Sequence, residues 1–332
     1  MKTALVTGAN GFLGRALCRL LLERGYRVQG TVRTHDEFLA RQGVALFVGD
    51  LRGDDIWRTA VPGCNVVFHL AAVSGIWGTW KHFHSSNTIA TRLAVQACIA
   101  HRVPKLVYTS SPSVTFTGEH QINVDESAPY PQRWLCHYAH SKALAEQHVL
   151  ESNDPAVLMT CALRPHLVWG PGDRHLVPRL LERAARRQLL RVGDGTNQID
   201  TIYVDNAAEA HILAAEALTP GSPVCGQSYF LSQGDPVNCW GWINEILQLA
   251  GMPRVKKSIS FAWAWRLGQA LEIYHEMFNI QREPRMTRFL AAQLAKSHYF
   301  DISRARRDFG FTPRVTMEEG MKRLEGHLKT SS

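Results

Sequence analysis

The sequence predicts an α/β protein built on a doubly wound parallel sheet, with a smaller, mostly helical second lobe. Short β-branched runs alternate with longer helical patterns through the first half of the chain. The strand runs are apolar throughout, as in a parallel sheet that is covered on both faces. A glycine-rich loop joins the first strand to the first helix. Together these three observations indicate strand–helix–strand units stacked around one sheet.

Strand and helix alternate from the N-terminus onward. The predicted strands of the first half are Ala4–Thr7, Arg27–Val32, Ala45–Val48, Val66–Leu70, Leu106–Ser110 and Met159–Arg164. The predicted helices are Phe12–Arg24, Asp54–Ala60, Ser86–His101 and Tyr138–Ser152. Because strands in this arrangement end at one edge of the sheet, residues that follow them should meet there.

The second half is less regular. Prolines punctuate the chain after residue 164, and Val177–Arg187 then has a helical pattern. Thr201–Val204 and Gln227–Leu231 are predicted as short strands around a helix, Asn206–Leu218, and the chain beyond Ser232 is mostly helical. We therefore predict a sheet domain and a second lobe that pack together around a cleft. The sheet domain comprises 1–165 and 201–231, and the second lobe comprises 166–200 and 232–332.

Composition excludes several classes of protein. Of the 332 residues, 45% are hydrophobic and 20% charged, so the chain can bury a large core. No apolar run approaches the roughly 18 residues of a membrane span, and no secretory signal precedes the first strand. Seven cysteines without a CxxC pair predict reduced thiols in a cytoplasmic protein, with no disulfides and no metal site. The net charge of +8 is scattered, which argues against nucleic acid and is consistent with attraction of anionic small molecules.

The glycine-rich loop predicts a Rossmann-type dinucleotide site. Gly8 permits the tight turn after the first strand, Gly11 lets the backbone approach a pyrophosphate, and Gly14 allows close packing of helix on strand. The helix N-terminus that follows would face the phosphates. The residues predicted to hold the cofactor here are Gly8, Asn10, Gly11, Phe12, Leu13 and Gly14.

The end of the second strand predicts which nicotinamide cofactor is used. An NAD site usually carries an acidic residue about 20 positions after the glycines, but this count reaches Arg33. An arginine there can pair with a 2′-phosphate, so NADP(H) is favoured while NAD(H) stays open. Asp50 and Leu51, after the third strand, are predicted to contact the adenine of the cofactor. Ala71 and Ala72, after the fourth strand, are small enough to let the cofactor pass.

A tyrosine and a lysine four residues apart begin a predicted helix, so both side chains lie on one face. A phenol has a pKa near 10, and an adjacent ammonium lowers it, so Tyr138 with Lys142 can carry acid–base catalysis. A hydroxyl after the fifth strand could hydrogen-bond the substrate oxygen. We assign this role to Ser111 and keep Ser113 as its rival.

Together these residues resemble the extended short-chain dehydrogenase superfamily, in its 3β-hydroxysteroid dehydrogenase and epimerase/dehydratase branch. The resemblance covers nearly the whole chain and includes Arg164-Pro165, Gly170-Pro171-Gly172-Asp173 and Tyr203-Val204-Asp205-Asn206. It implies cofactor contacts by Asn87 and by Pro165, Leu167 and Val168. The sequence departs from the family at Ala90, where glycine is frequent, and at His137, where proline is frequent.

At finer grain the chain is most similar to the bacterial 2-alkyl-3-oxoalkanoate reductases of long-chain olefin biosynthesis. The stretches that carry this resemblance are Trp169–Asp173, Leu176–Leu180, Glu283-Pro284, Thr287–Phe289 and Ala305–Gly310. The resemblance implies NADPH-dependent reduction of a long-chain 2-alkyl-3-oxo acid to the 2-alkyl-3-hydroxy acid. It also implies assembly with a condensing enzyme, a β-lactone synthetase and a decarboxylase, and leaves a homo-oligomer open.

Two stretches bear on the substrate. Trp77 and Trp80 follow the fourth strand, so they should border the cleft, and His166 follows Pro165. An apolar stripe also recurs at helical spacing, and it predicts a buried face in the core or along the cleft. A helix lying on a membrane surface is disfavoured, because acids as well as bases lie between the stripe residues. The stripe comprises Trp263, Leu267, Ala270, Leu271, Tyr274, Met277 and Phe278.

These features leave two alternatives to the ketone reductase. One is a 3β-hydroxysteroid or sterol dehydrogenase that uses NAD(P). The other is a non-catalytic sensor that only binds a nicotinamide dinucleotide, which the intact Ser111, Tyr138 and Lys142 disfavour.

Overall fold

A computed structural model describes residues 1–331. In chain order the first half contains β1 (Thr3–Thr7), α1 (Phe12–Glu23), β2 (Arg27–Val32), α2 (Glu37–Arg41), β3 (Ala45–Val48), α3 (Asp54–Ala60), β4 (Val66–His69), α4 (Trp80–Phe83), a π-helical turn (His84–Ile89), α5 (Ala90–Ala100), β5 (Lys105–Thr109), a 3-10 turn (Pro112–Thr115), β6 (Gln121–Val124), α6 (His137–Glu151) and β7 (Met159–Pro165).

The second half has shorter strands. It contains β8 (Val168–Trp169), α7 (Leu176–Ala185), β9 (Arg191–Val192), β10 (Gln198–Ile199), β11 (Ile202–Tyr203), α8 (Val204–Ala217), β12 (Gln227–Leu231), β13 (Val237–Asn238), α9 (Cys239–Leu249), β14 (Ser258–Ile259), α10 (Phe261–Met277), α11 (Arg288–Ala295), β15 (His298–Phe300), α12 (Ser303–Phe309) and α13 (Met317–Ser331).

The main sheet confirms the predicted fold class. Its seven strands run in the order β12-β7-β5-β4-β1-β2-β3, and every pair is parallel. The order reverses between β1 and β4, which is the place where open α/β sheets form a crevice beyond their carboxyl ends. The predicted strands of this sheet agree with the observed ones to within a residue at either end.

Both faces of the sheet are covered by helices. One core packs α1, α8 and α12 on the sheet through residues such as Leu17 and Ile212, and the other packs α3, α5 and α6 through residues such as Trp57 and Val149. This double cover explains why β4 and β7 are buried along their whole length.

The second lobe contains more strand than the sequence predicts. A small mixed sheet has the order β13-β10-β15-β6, and β8 pairs with β11 and β9 with β14 in two ribbons. The predicted strand Thr201–Val204 is therefore the two-residue β11, outside the main sheet. Strand β6 lies in the predicted sheet domain and β15 in the predicted second lobe, yet the two strands pair with each other. The predicted domain boundaries therefore stay a prediction. Within residues 1–331, no helix combines the length and apolar character needed to cross a membrane.

Candidate active site

A groove of about 320 Å³ lies at the carboxyl ends of β1 to β4. The loops that follow these four strands all contribute to it, as the parallel arrangement requires. The predicted cofactor residues that line the groove are Gly8, Asn10, Gly11, Arg33, Asp50, Leu51, Ala71 and Ala72.

The glycine loop fits the groove for steric reasons. Gly8 has a φ of +66°, and a Cβ atom there would lie 3.1 Å from the Cα of Ala71. A Cβ atom on Gly14 would overlap the carbonyl oxygen of Gly8, so α1 can approach β1 only because this residue is glycine. Phe12 and Leu13 open α1 and pack against the core of the second lobe, outside the groove lining.

Two arginines border the groove where the adenosine end of a dinucleotide would lie. Arg33 directly follows β2 and is exposed. Arg52, which sequence reasoning missed, hydrogen-bonds Asp50 through its Nε atom at 2.9 Å. These hydrogen bonds hold the pKa of Asp50 at about 2, and the charge of Arg33 adds to the effect. Asp36 instead pairs with Arg15 and caps α2. It therefore does not neutralise Arg33 or Arg52 at the rim of the groove.

Buried polar contacts tie the loop after β4 to the sheet. The Thr7 hydroxyl contacts the His69 Nδ1 atom at 2.9 Å and accepts hydrogen bonds from two backbone N–H groups of the loop. His69 Nε2 contacts the Thr91 hydroxyl at 3.0 Å. Asn87 bonds both backbone polar groups of Val73 and also the Ser141 hydroxyl. Asn87 therefore links the loop to α6 and does not line the groove.

A second cavity, of about 190 Å³, contains the predicted catalytic hydroxyls. Among the residues that line it, those predicted from the sequence are Ser111, Ser113, Tyr138, Pro165, His166 and Leu167. Leu167 has a φ of +44°, which is unusual for a residue with a branched side chain. Leu167 lies between β7 and β8, and such strain is common beside functional sites.

Helix α6 carries three ionisable side chains on successive turns, at Tyr138, Lys142 and Glu146. Lys142 is 2% exposed, donates a hydrogen bond to the Thr109 carbonyl, and its Nζ atom lies 4.2 Å from the centre of the Tyr108 ring. Burial lowers its pKa to about 7, against the opposing charge of Glu146. The Lys142 side chain is therefore buried against β5, one turn of α6 after Tyr138.

Glu146 is the carboxylate that the sequence analysis did not single out. It is fully buried and pairs with Arg164, and it accepts a hydrogen bond of 2.7 Å from the Tyr130 hydroxyl. The charge of Arg164 and these hydrogen bonds lower its pKa despite burial, so it remains an anion beneath Lys142. The repeat of three functional residues at a spacing of four was the available signal in the sequence.

The two serines lie side by side. Ser111 caps the 3-10 turn that follows β5, and its hydroxyl accepts a hydrogen bond of 2.9 Å from the Ser113 hydroxyl. Burial raises the pKa of Tyr138 to about 12, although a hydrogen bond from Ser111 opposes this. Tyr138 is thus a neutral phenol at neutral pH, so the expected lowering of its pKa by Lys142 is wrong for this structure, because burial outweighs it. Ser111 is the serine that interacts with the phenol.

A pair of buried histidines forms another wall of the cavity. The Nε2 atom of His166 lies 2.6 Å from the Nδ1 atom of His298, whose Nε2 atom contacts the Gln293 carbonyl at 2.8 Å. A carbonyl only accepts, so His298 carries its proton on Nε2, and His166 must donate to it. Burial lowers the pKa of both imidazoles, that of His298 to about 4, so the pair is neutral.

Two further cavities share a lining residue with the one that contains Ser111 and Tyr138, because Ile76 lines all three. One, of about 320 Å³, is lined by both aromatic and polar groups, including Trp77 and Trp134. The other, of about 1150 Å³, is open and carries a marked excess of cations. Its charged residues are Arg174, Arg179, Glu182, Arg183, Arg186, Arg282, Glu283 and Arg285.

Several predicted residues lie away from these cavities. Trp80 packs against His84 and His140, and Val168 begins β8 without lining a cavity. The prediction of a buried apolar stripe is wrong for most of its length, because α10 buries Ala264, Gly268 and Glu272 instead. Leu271 lines the arginine-rich cavity. The exposed members of the stripe are Trp263, Leu267, Ala270, Tyr274, Met277 and Phe278.

Comparison with known proteins bears on this arrangement. Residues 5–262 match the model of the 3-beta hydroxysteroid dehydrogenase/isomerase family. The chain is 48% identical to the 2-alkyl-3-oxoalkanoate reductase of Stenotrophomonas maltophilia, covering 97% of this chain and 98% of the relative. It is 46% identical to the protein of the same name from Shewanella oneidensis, over 98% and 86% of the two chains.

More distant similarities share the fold. Human sterol-4-alpha-carboxylate 3-dehydrogenase, decarboxylating, is 34% identical over 97% of this chain and 87% of the relative. The crystal structure of gox2253 superposes with a TM-score of 0.81 at 27% identity, covering 100% of this chain and 99% of the other. MoeE5 in complex with UDP-glucose and NAD superposes with a TM-score of 0.76 at 25% identity, covering 99% of both chains.

Proposed function

Because this chain belongs to the 3-beta hydroxysteroid dehydrogenase/isomerase family, we propose that it is a nicotinamide-dependent oxidoreductase. In this proposal it reduces the ketone of a long-chain 2-alkyl-3-oxoalkanoic acid to the 2-alkyl-3-hydroxy acid, reversibly. The observation that carries the proposal is the cavity that both Ser111 and Tyr138 line, with Lys142 buried one turn of α6 after Tyr138. The names of the two relatives at 48% and 46% identity support the substrate.

The residues of the cavity suit ketone reduction. A bound dihydronicotinamide supplies the hydride, and negative charge then grows on the substrate oxygen. Tyr138 donates a proton to that oxygen, and its raised pKa keeps it in the protonated state that this step requires. Ser111 donates a hydrogen bond to the same oxygen. In its protonated form, which predominates below about pH 7, Lys142 would stabilise the phenolate left on Tyr138 from one helical turn away.

The groove beside the cavity fits a dinucleotide, and its rim favours NADPH. The glycine loop has no space for side chains at Gly8 and Gly14. A backbone without side chains is what the close approach of a pyrophosphate requires. Arg33 is exposed and available to a 2′-phosphate, with Arg52, which is paired with Asp50, beside it. No carboxylate at the end of β2 lines the groove to hold a ribose 2′-hydroxyl. MoeE5 binds NAD, so NADH stays the cofactor to test against.

The cavities around Ile76 match a branched acid. A 2-alkyl-3-oxo acid carries two chains and a carboxylate on neighbouring carbons, so three groups must leave the ketone in different directions. The arginine-rich cavity can receive the carboxylate, and the cavity beside Trp77 and the apolar wall at Leu271 can receive chains. We place the reaction in long-chain olefin biosynthesis in the cytoplasm, beside a condensing enzyme, a β-lactone synthetase and a decarboxylase.

A sterol dehydrogenase is the second candidate, because the human sterol-4-alpha-carboxylate 3-dehydrogenase is 34% identical. Its activity, as named, also involves a carboxylate near the reacting carbon. A rigid ring system would occupy one cavity rather than branch around Ile76. The two candidates therefore differ in how activity depends on the second chain of the substrate.

The test is NADPH oxidation with a panel of long-chain 2-alkyl-3-oxo acids, unbranched 3-oxo acids and 3-ketosteroids, repeated with NADH. We expect kcat/KM to rise with chain length for the branched acids, since each buried methylene contributes about 0.8 kcal/mol. Tyr138→Phe is the matched inactive control. A preference for steroids would contradict the proposed substrate but not the proposed reductase activity. The absence of turnover with every ketone would contradict the oxidoreductase activity itself.

A further inference from the structure

Helix α10 exposes an apolar face that nothing in residues 1–331 covers. Trp263 is 65% exposed and Met277 72%, at opposite ends of the helix, and Leu267, Ile273 and Tyr274 lie between them. With 17 residues the helix is about 25 Å long, so the exposed face is far larger than a single stray side chain. Patches of this kind mark sites of protein or membrane contact.

The helix cannot roll this face inward. Its buried side consists of Ala264, Gly268 and Glu272, and a Cβ atom on Gly268 would lie 2.6 Å from the carbonyl carbon of Thr287. Glu272 accepts hydrogen bonds from the backbone and guanidinium of Arg288, which fixes the rotation of α10 against α11. The exposed apolar face is therefore a constant feature of the fold.

The charges around this face are almost all positive. Residues 254–285, all of which the structure describes, contain three acids. Glu272 is buried and paired, Glu283 is half-buried and pairs with Arg179, and Glu276 is the one acid of this segment that is exposed. This removes the objection that the sequence raised against a membrane-surface helix. None of the exposed cations in this segment takes part in an ion pair. They are Arg254, Lys256, Lys257, Arg266, Arg282 and Arg285.

The same helix forms part of the walls of two cavities beside the catalytic one. Leu271 and His275 line the arginine-rich cavity, and Glu276 lines the cavity beside Trp77. The segment after α10 continues both walls, with Ile280 in one and Arg282 in the other. A surface that covered α10 would therefore lie next to both cavities.

We propose that the α10 face docks on an anionic lipid surface, with its aromatic and aliphatic side chains in the interface and the flanking cations on phosphate headgroups. A tryptophan and a tyrosine on an amphipathic face, ringed by lysine and arginine, are the groups that such an interface accepts. Docking places the two cavities against the phase in which a long-chain substrate dissolves. The substrate can then enter without crossing water.

The test is flotation of the full-length protein with vesicles of phosphatidylglycerol and phosphatidylcholine, compared with phosphatidylcholine alone. We expect binding to the anionic vesicles that falls with added salt. Trp263→Glu with Met277→Glu should weaken it about tenfold or more, since each buries an apolar side chain in the interface. Lys256→Glu with Lys257→Glu should lose at least about fivefold for each cation removed. Val157→Glu, at an exposed apolar residue elsewhere, is the matched control.

Three outcomes would overturn the proposal. They are the absence of vesicle binding, equal binding to neutral vesicles, and equal loss in the Val157 control. Sedimentation velocity without vesicles gives a further check, because a dimer that Trp263→Glu dissociates would assign the face to a second copy of the chain. The vesicle measurement uses no ketone and no cofactor, so it stands or falls independently of the proposed reductase activity.

Discussion

Replacing Lys142 by methionine should inactivate the protein and stabilise its fold at the same time. Burial lowers the pKa of Lys142 from 10.5 to about 7, and each pKa unit is worth about 1.4 kcal/mol. At pH 7 and below, keeping this cation buried therefore destabilises the native state by roughly 5 kcal/mol. Methionine fills a similar volume without charge, so Lys142→Met should recover a large part of that free energy of unfolding.

The sign of the pH dependence makes this prediction specific. Between pH 7 and 10.5 the unfolded chain holds a proton on Lys142 that the native state has released, so the stability of the unmodified protein rises with pH. The advantage of Lys142→Met should be largest at or below pH 7 and should shrink as the pH approaches 10.5. Urea unfolding at three pH values measures this, with Lys81→Met, an exposed lysine on α4, as the control. Parallel stability curves for Lys142→Met and the unmodified protein would refute the reasoning.

Three other substitutions test separate parts of the site. Tyr138→Phe removes the proton donor but keeps the ring, so cofactor fluorescence should still titrate while single-turnover NADPH oxidation falls by roughly 10²–10⁴; a near-normal rate would refute the catalytic assignment. Arg33→Asp should weaken NADPH relative to NADH by about 1.5–3 kcal/mol, with Arg52 limiting the loss, and equal cofactor titrations in the unmodified protein would contradict this. Glu146→Gln leaves Arg164 as an unpaired buried cation, so thermal or urea unfolding should show a loss of about 3–5 kcal/mol; a change below 1 kcal/mol would show that the pair is not structural.

The main sheet was predictable because its strands are buried on both faces. Continuous apolar runs such as Val66–His69 leave little choice of structure, and the glycine loop fixes the first turn. The small sheet was not predictable, because its strands are two to four residues long and pair across the chain. Gln121 meets His298 in the ladder, and no local pattern in either segment indicates that partner.

The same distinction applies to the site. The groove residues follow consecutive strands of one sheet, so chain order alone brings Gly8, Asp50 and Ala71 together. Glu146 was marked in the sequence only by its spacing from Lys142, and nothing marked Arg164 as its partner. His298 depends on His166, a partner far along the chain that a single sequence does not reveal. For helix α10 the sequence did show a local pattern, but the prediction from it was wrong, because a helical apolar stripe normally indicates burial. Here Gly268 fixes the small-residue side inward and leaves the stripe outside.

Charge should decide how an acid substrate is oriented around Ile76. Near the ketone, Tyr138 and the two histidines are neutral, whereas burial lowers the pKa of Arg179 only to about 10, so the arginine-rich cavity stays cationic. For the proposed substrate we therefore expect the carboxylate on that side of Ile76 and the ketone facing Tyr138. The methyl ester of the same 2-alkyl-3-oxo acid keeps both chains and the ketone but carries no charge. The kcat/KM of the ester should be lower by a factor that corresponds to about 1.5–3 kcal/mol of lost transition-state stabilisation, the value of a charge-assisted hydrogen bond. Equal kcat/KM values for acid and ester would show that the arginines take no part in binding the substrate.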